Sequence, residues 1–124
     1  MPAELTGRWT VERRVLDRLT GTEGRFEGIA EFAPDGGWSE EGTLAFGAYR
    51  GPARRRLRIA DGMVWFDDGR PFHPFDLTGP VKHLCGADRY AGEYRLDGDV
   101  LEVVWNVSGP GKDQRIESVY VRIG

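Results

Sequence analysis

The chain has 124 residues, a formal net charge of −3, 40% hydrophobic and 30% charged residues. That length makes one domain with room for an ordinary core, and the composition excludes a disordered chain. The acidic balance offers no general attraction to nucleic acid or to a membrane surface, the single Cys85 excludes an internal disulfide, and no apolar run is long enough for a spanning helix.

The first predicted strand covers roughly residues 5–16. Alternate residues of a strand share a face, so Leu5, Gly7, Trp9, Val11, Arg13 and Val15 fall together, opposite Thr6, Arg8, Thr10, Glu12 and Arg14. The apolar face turns inward and takes Arg13 with it. The opening Met-Pro-Ala-Glu-Leu-Thr-Gly has neither the basic nor the apolar region of a secretion signal, so a reducing, cytoplasmic setting is expected. In the second strand, roughly 24–33, Phe26, Ala30 and Phe32 oppose Arg25, Glu27 and Glu31. The third, 37–46, aligns Trp38, Glu40, Leu44 and Phe46 and brings Glu40 inward. After a turn expected at Gly51-Pro52, the fourth, 53–60, splits the basic run Arg54-Arg55-Arg56-Leu57-Arg58. Arg55 goes inward with Leu57 and Ile59, while Arg54, Arg56 and Arg58 form a solvated face rather than a nucleic-acid patch.

Two short strands, 62–67 and 71–76, flank Asp67-Asp68-Gly69-Arg70. Asp-Gly is a favoured hairpin dipeptide; the alternative is a rim loop presenting Arg70 and His73. The next pair, 80–85 and 88–96, holds the densest chemistry. His83 and Cys85 share one face, and so do Asp88, Tyr90 and Tyr94 after the turn at Gly86-Ala87. His83, Cys85, Asp88 and His73 do not have the spacing of convergent zinc ligands, so no metal is expected. A Cys85 nucleophile with a His83 base is disfavoured because i and i+2 side chains stand side by side, and Cys85 reads as a small core residue. The ninth strand, 99–108, aligns Leu101, Val103, Trp105 and Val107. The turn Gly109-Pro110-Gly111-Lys112 lacks the strand–loop–helix setting of a phosphate loop. The tenth, 113–123, puts Ile116, Ser118, Tyr120 and Arg122 opposite Glu117, Val119 and Val121.

Turn signals recur about every ten residues and no helical stripe competes with them. The expectation is an all-β fold: one domain, residues 1–124, an antiparallel up-and-down β-barrel of about ten strands whose closure removes free edges. Charges are rarely buried unless paired. Arg13 and Arg55 against Glu40 and Asp88 would make two balanced pairs, a structural network. The same groups could instead orient a small molecule in a partly polar cavity. On that reading an amphipathic, anionic ligand meets Arg13, Glu40, Arg55, His83, Asp88, Tyr90, Tyr94, Trp105 and Tyr120, with apolar walls from Trp9, Trp38, Phe66 and Trp105 and no cofactor. An enzyme reading makes the protein a cofactor-independent catalyst acting on a small carboxylic acid, with Glu40, His83 or Asp88 as acid or base. A third reading is a structural module with a satisfied interior. A homodimer through an outer barrel face is compatible with all three.

Gly7-Arg8-Trp9 resembles the Gly-x-Trp signature of lipocalins and their calycin relatives, a resemblance that implies Trp9 across the closed end of a barrel beneath Arg122. The combination Gly7-Arg8-Trp9-x-x-Glu12-Arg13, Asp68-Gly69-Arg70-x-Phe72-His73, His83-x-Cys85-x-x-Asp88-x-Tyr90-x-Gly92-x-Tyr94 and Trp105-x-Val107-x-Gly109-Pro110-x-Lys112-Asp113 resembles an uncharacterised bacterial domain-of-unknown-function family. That resemblance implies a lipocalin-like barrel and carries over no catalytic residue. The haem-binding nitrobindins use a late-strand histidine, and here no histidine follows His83. Phenolic acid decarboxylases work with similar residue types on a calycin-like fold, an analogy of fold and residue type only.

Overall fold

Alternating sequences broken by glycine-rich turns fold here into a continuous meander. The computed structural model describes residues 2–124, and none of them is helical. Ten strands follow in order: β1 Gly7–Asp17, β2 Thr22–Phe32, β3 Gly37–Phe46, β4 Tyr49–Ala60, β5 Met63–Phe66, β6 Pro71–Pro74, β7 Pro80–Cys85, β8 Asp88–Asp97, β9 Val100–Gly109 and β10 Lys112–Arg122. Each pairs antiparallel with its chain neighbour except β6 with β7, and β1 pairs with β10, giving the order β6-β5-β4-β3-β2-β1-β10-β9-β8-β7. The sheet curls into a nearly closed barrel in which β6 and β7 lie side by side without a ladder. These two edges carry Pro71, Pro74 and Pro80, residues that cannot donate to a further strand.

The inward faces are those set by alternation. Trp9, Val11, Phe26, Phe32, Trp38, Leu57, Ile59, Leu101, Val103, Trp105, Val107 and Tyr120 are buried, and Val119 and Val121 are exposed on the opposite side of β10. One turn is displaced from its expected place. Gly51 and Pro52 lie inside β4, paired with Leu44 and Thr43, and the chain reverses at Gly47-Ala48 instead. Short β5 pairs only with residues 57–60 of β4. The first half of β4 is therefore a free edge, where the missing N–H of Pro52 costs no ladder bond.

One end of the barrel is sealed. Leu5, Trp9, Phe32 and Leu101 are completely or almost completely buried there. The Trp9 indole donates to the Leu5 carbonyl at 2.9 Å, and the Arg122 guanidinium lies 4.3 Å from the Trp9 ring centroid. Arg122 also donates to the Thr6 carbonyl at 2.9 Å and to the Glu4 carbonyl, and pairs with Asp99 at 2.9 Å. The expected cap of Arg122 over Trp9 is thus present and ties the N-terminal turn to the last strand. Farther along, Gly28 and Gly42 face each other where β2 and β3 approach closely; a Cβ on either would overlap the opposite backbone.

Candidate functional site

The site grows from a single buried carboxylate. Glu40 stands on the inner face of β3, only 1% exposed, and accepts from five donors. Arg13 of β1 grips it with both terminal nitrogens, at 2.9 and 3.1 Å; Arg55 of β4 donates through Nε at 2.9 Å. The Trp38 indole donates at 3.0 Å, and the Tyr120 hydroxyl of β10 completes the set with a short bond. Arg13 also reaches Ser118 Oγ at 2.8 Å and the Tyr120 oxygen at 2.8 Å. Burial works to raise the Glu40 pKa, but Arg55 and Arg13 beside it, with the hydrogen bonds from Arg13 and Tyr120, outweigh that and hold it at about 2. Tyr120 is pushed well above the usual phenol range by burial and by the Glu40 charge, so it stays a donor to that carboxylate. A carboxylate so saturated is a fixed counter-ion, not an acid or base in waiting.

Above this network the barrel keeps a cavity of about 110 Å³. Arg13, Arg55, Tyr90, Tyr94, Trp105 and Tyr120 line it, together with Val15, Trp38, Phe72, His73, Val103, Val107, Ile116 and Ser118. A larger concavity, about 900 Å³, lies outside the barrel over Arg8, Glu31, Glu41 and Arg54. It is an open saddle whose two cations match two anions, and it lacks the enclosure that holds a small ligand. The enclosed space is therefore the candidate site, although it is the smaller.

Six of the nine residues expected to form a cavity do line it. Glu40 sits behind Arg13 and Arg55 and does not. Asp88 does not pair with either arginine; it lies at the barrel mouth against Lys112, 3.3 Å away. Both arginines instead converge on Glu40, since Asp88 stands at the start of β8, beside the end of β9, where Lys112 opens β10. His83 pairs with Tyr90 in the β7–β8 hairpin, is half-buried and does not line the cavity. Cys85 is exposed, not a core residue, because its inward-facing position falls at the strand's outer end beyond the packed interior. Of the apolar walls, Trp38 and Trp105 line the cavity. Phe66 stacks behind Phe72 at 4.4 Å, and Trp9 belongs to the sealed end.

His73 is the functional candidate that alternation leaves unplaced. It is 3% exposed, its ring 4.3 Å from those of both Trp105 and Phe72. The β5–β6 register slips after Val64, so that Phe72 is left without a partner between His73 and Pro71. This bulge lets two successive side chains, Phe72 and His73, both border the cavity. Burial lowers the His73 pKa to about 4, helped by the positive field of Arg55 and against the hydrogen bond to Pro74. The sequence signal that could have marked it is the pair Pro71 and Pro74, which brackets Phe72-His73 as an irregular edge.

Two further features shape the space. The Tyr94 hydroxyl is buried with no hydrogen-bond partner among the described residues. Trp105 lies over Gly92 of β8, where any Cβ would overlap its ring. Gly92→Ala is therefore expected to push Trp105 into the cavity and destabilise the fold by about 1–3 kcal/mol, the usual cost of overpacking. Thermal denaturation measures the loss, and a change in Trp105 emission reports the displacement.

The inner charges do not cancel. Arg13 and Arg55 face the one carboxylate of Glu40 behind them, and no acid among the described residues lines the cavity. Arg55 uses only Nε within the protein, and its side chain is 38% exposed. Its two terminal nitrogens have no partner among the described residues. The arrangement can hold an anion against an aromatic and aliphatic wall.

Comparison with known proteins adds the family and little else. Residues 5–122 match a family of unknown function, DUF6314. No curated protein matches the chain. Among solved structures, a de novo designed fluorescence-activating β-barrel is similar at 16% identity and a TM-score of 0.43, over 95% of this chain and 93% of that one.

Proposed function

The chain belongs to this family of unknown function, and we propose that its barrel binds a small amphipathic monoanion, a carboxylate on a short chain or single ring. The observation that carries this reading is the uncancelled positive charge of the Arg13–Glu40–Arg55 cluster, with the free edge of Arg55 at an enclosed cavity. The free edge of Arg55 is wetted, its side chain being 38% exposed; an incoming carboxylate would replace that water with charge-assisted bonds to a planar fork. Val103, Val107, Ile116 and Trp105 supply the wall for the apolar part. An apolar cavity of 150 Å³ takes up benzene, so a cavity of about 110 Å³ encloses roughly four to five non-hydrogen atoms, a small ring or short chain whose carboxylate stands at the exposed edge of Arg55. In this use the barrel works as lipocalin-like barrels do, around a guest, in a reducing cytoplasmic setting where exposed Cys85 remains a thiol.

Calorimetric titration with a graded series tests the reading: acetate, butyrate, furan-3-carboxylate and 2-naphthoate, with butylamine as the opposite charge. Affinity is expected to rise to the five-membered ring and to fall at naphthoate, and butylamine should not bind. Arg55→Gln should weaken furan-3-carboxylate by about 10- to 100-fold, the scale of hydrogen bonds to a charged group. Absence of binding by every carboxylate at millimolar concentration, or affinities indifferent to Arg55→Gln, contradicts the proposal.

A further inference from the structure

Within the cavity one more polar group is set for recognition. His73 Nδ1 lies 3.0 Å from the Pro74 carbonyl. A carbonyl oxygen only accepts, so Nδ1 carries the proton and Nε2 carries a lone pair. Nε2 has no partner among the described residues, and the ring borders the cavity. Tyr94, whose hydroxyl is also unpartnered, borders the same space from β8, its ring centroid 6.2 Å from that of His73. Two strands that share no ladder, β6 and β8, thus bring an acceptor and an unpaired hydroxyl to one small space. Around Glu40, by contrast, the polar groups are satisfied within the protein up to the outer edge of Arg55: Glu40 has five donors, and Ser118 and Tyr120 are both bonded to Arg13. The bulge that turns His73 inward costs β6 a regular ladder, and its yield is this acceptor.

We propose that His73 Nε2, with the Tyr94 hydroxyl beside it, accepts a hydrogen bond from an N–H or O–H on the body of the ligand. The site then selects small ring acids that carry a donor over acids of the same shape that lack one. The proposal rests on the anion-binding reading above and names the substrate class of that same cavity. An acceptor that the wrong ligand screens from water and leaves unpaired is the physical source of discrimination.

Pyrrole-3-carboxylate and furan-3-carboxylate share shape and charge and differ in a ring N–H replaced by oxygen. Calorimetry with both acids is expected to show the pyrrole acid binding about tenfold more tightly to the wild-type protein, one hydrogen bond's worth of preference. His73→Phe should abolish that preference while furan-3-carboxylate still binds. Tyr94→Phe removes a hydroxyl that has no partner and so leaves the fold intact; it should narrow the preference without abolishing it. His73→Gln, which keeps an acceptor oxygen, should restore part of what His73→Phe loses. Equal binding of the two acids by the wild-type protein, or a preference that survives both His73→Phe and Tyr94→Phe, overturns the assignment. Failure of both acids to bind overturns the anion-binding reading itself, an outcome distinct from equal binding.

Discussion

Glu40→Gln should destabilise the barrel by about 3–5 kcal/mol, the cost of leaving a buried cation without its counter-ion. Arg13 bears most of that cost. Its side chain is 12% exposed and both its terminal nitrogens bond Glu40, whereas Arg55 is open enough to turn toward water. The amide keeps the shape of Glu40 but offers one acceptor oxygen in place of two, and its NH₂ group then faces the donors of Arg13, Trp38 or Tyr120. Against a total stability of 5–15 kcal/mol for an ordinary domain, such a loss leaves the protein marginal. The remedy follows from the cause. Arg13→Met added to Glu40→Gln removes the orphaned charge, and the double variant should recover a large part of the stability, a non-additivity that a double-mutant cycle reads directly. Urea denaturation of the two single variants and the double variant measures it. A loss below about 1 kcal/mol for Glu40→Gln would mean that the pair behaves as a surface ion pair, open to water.

Acid should weaken the protein in two successive windows, the first belonging to His73. Its folded pKa of about 4 lies below the ordinary histidine value of 6.5. Below pH 6.5 the unfolded chain therefore takes up a proton that the folded chain refuses. The stability His73 contributes is complete above pH 6.5 and is lost as the pH falls to about 4, by about 3 kcal/mol at the end of the window. Glu40 acts below that. Its folded pKa of about 2 lies under the ordinary carboxylate value of 4.5, so its contribution is present above pH 4.5 and is lost as the pH falls from there toward 2. Chemical denaturation at a series of pH values should show the first decline in the wild-type protein and its absence in His73→Phe, with the second decline kept in that variant. A wild-type stability flat between pH 7 and 4.5 would place His73 in water.

The architecture was legible because nearly every strand alternates. Arg13, Glu40, Arg55, Ser118 and Tyr120 share the phase of the aliphatic and aromatic residues on their strands, and period two alone puts them inside. What alternation does not encode is height along the barrel axis and partnership around it. Asp88 has the right phase, but it opens its strand and meets Lys112 at the mouth. Cys85 likewise has an inward phase at a strand end and is exposed. His73 escaped because a bulge breaks the period, so that Phe72 and His73, neighbours in sequence, both face in. Gly51-Pro52 reads as a turn; it is strand because it pairs with Leu44 and Thr43 of β3, and the shortness of β5 leaves its other side free, where a proline is tolerated. The cavity itself is a remainder of packing, set by how far Trp105 leans over Gly92 and how the seam aromatics meet.

A crystal structure of the protein soaked with furan-3-carboxylate tests the central claim most directly. The account predicts the carboxylate within hydrogen-bond distance of the terminal nitrogens of Arg55, the ring against Trp105 and Val107, and Glu40 still held by Arg13. Density for the acid only on the outer saddle, or an interior in which Arg55 turns to a protein partner and closes the cavity, would contradict it.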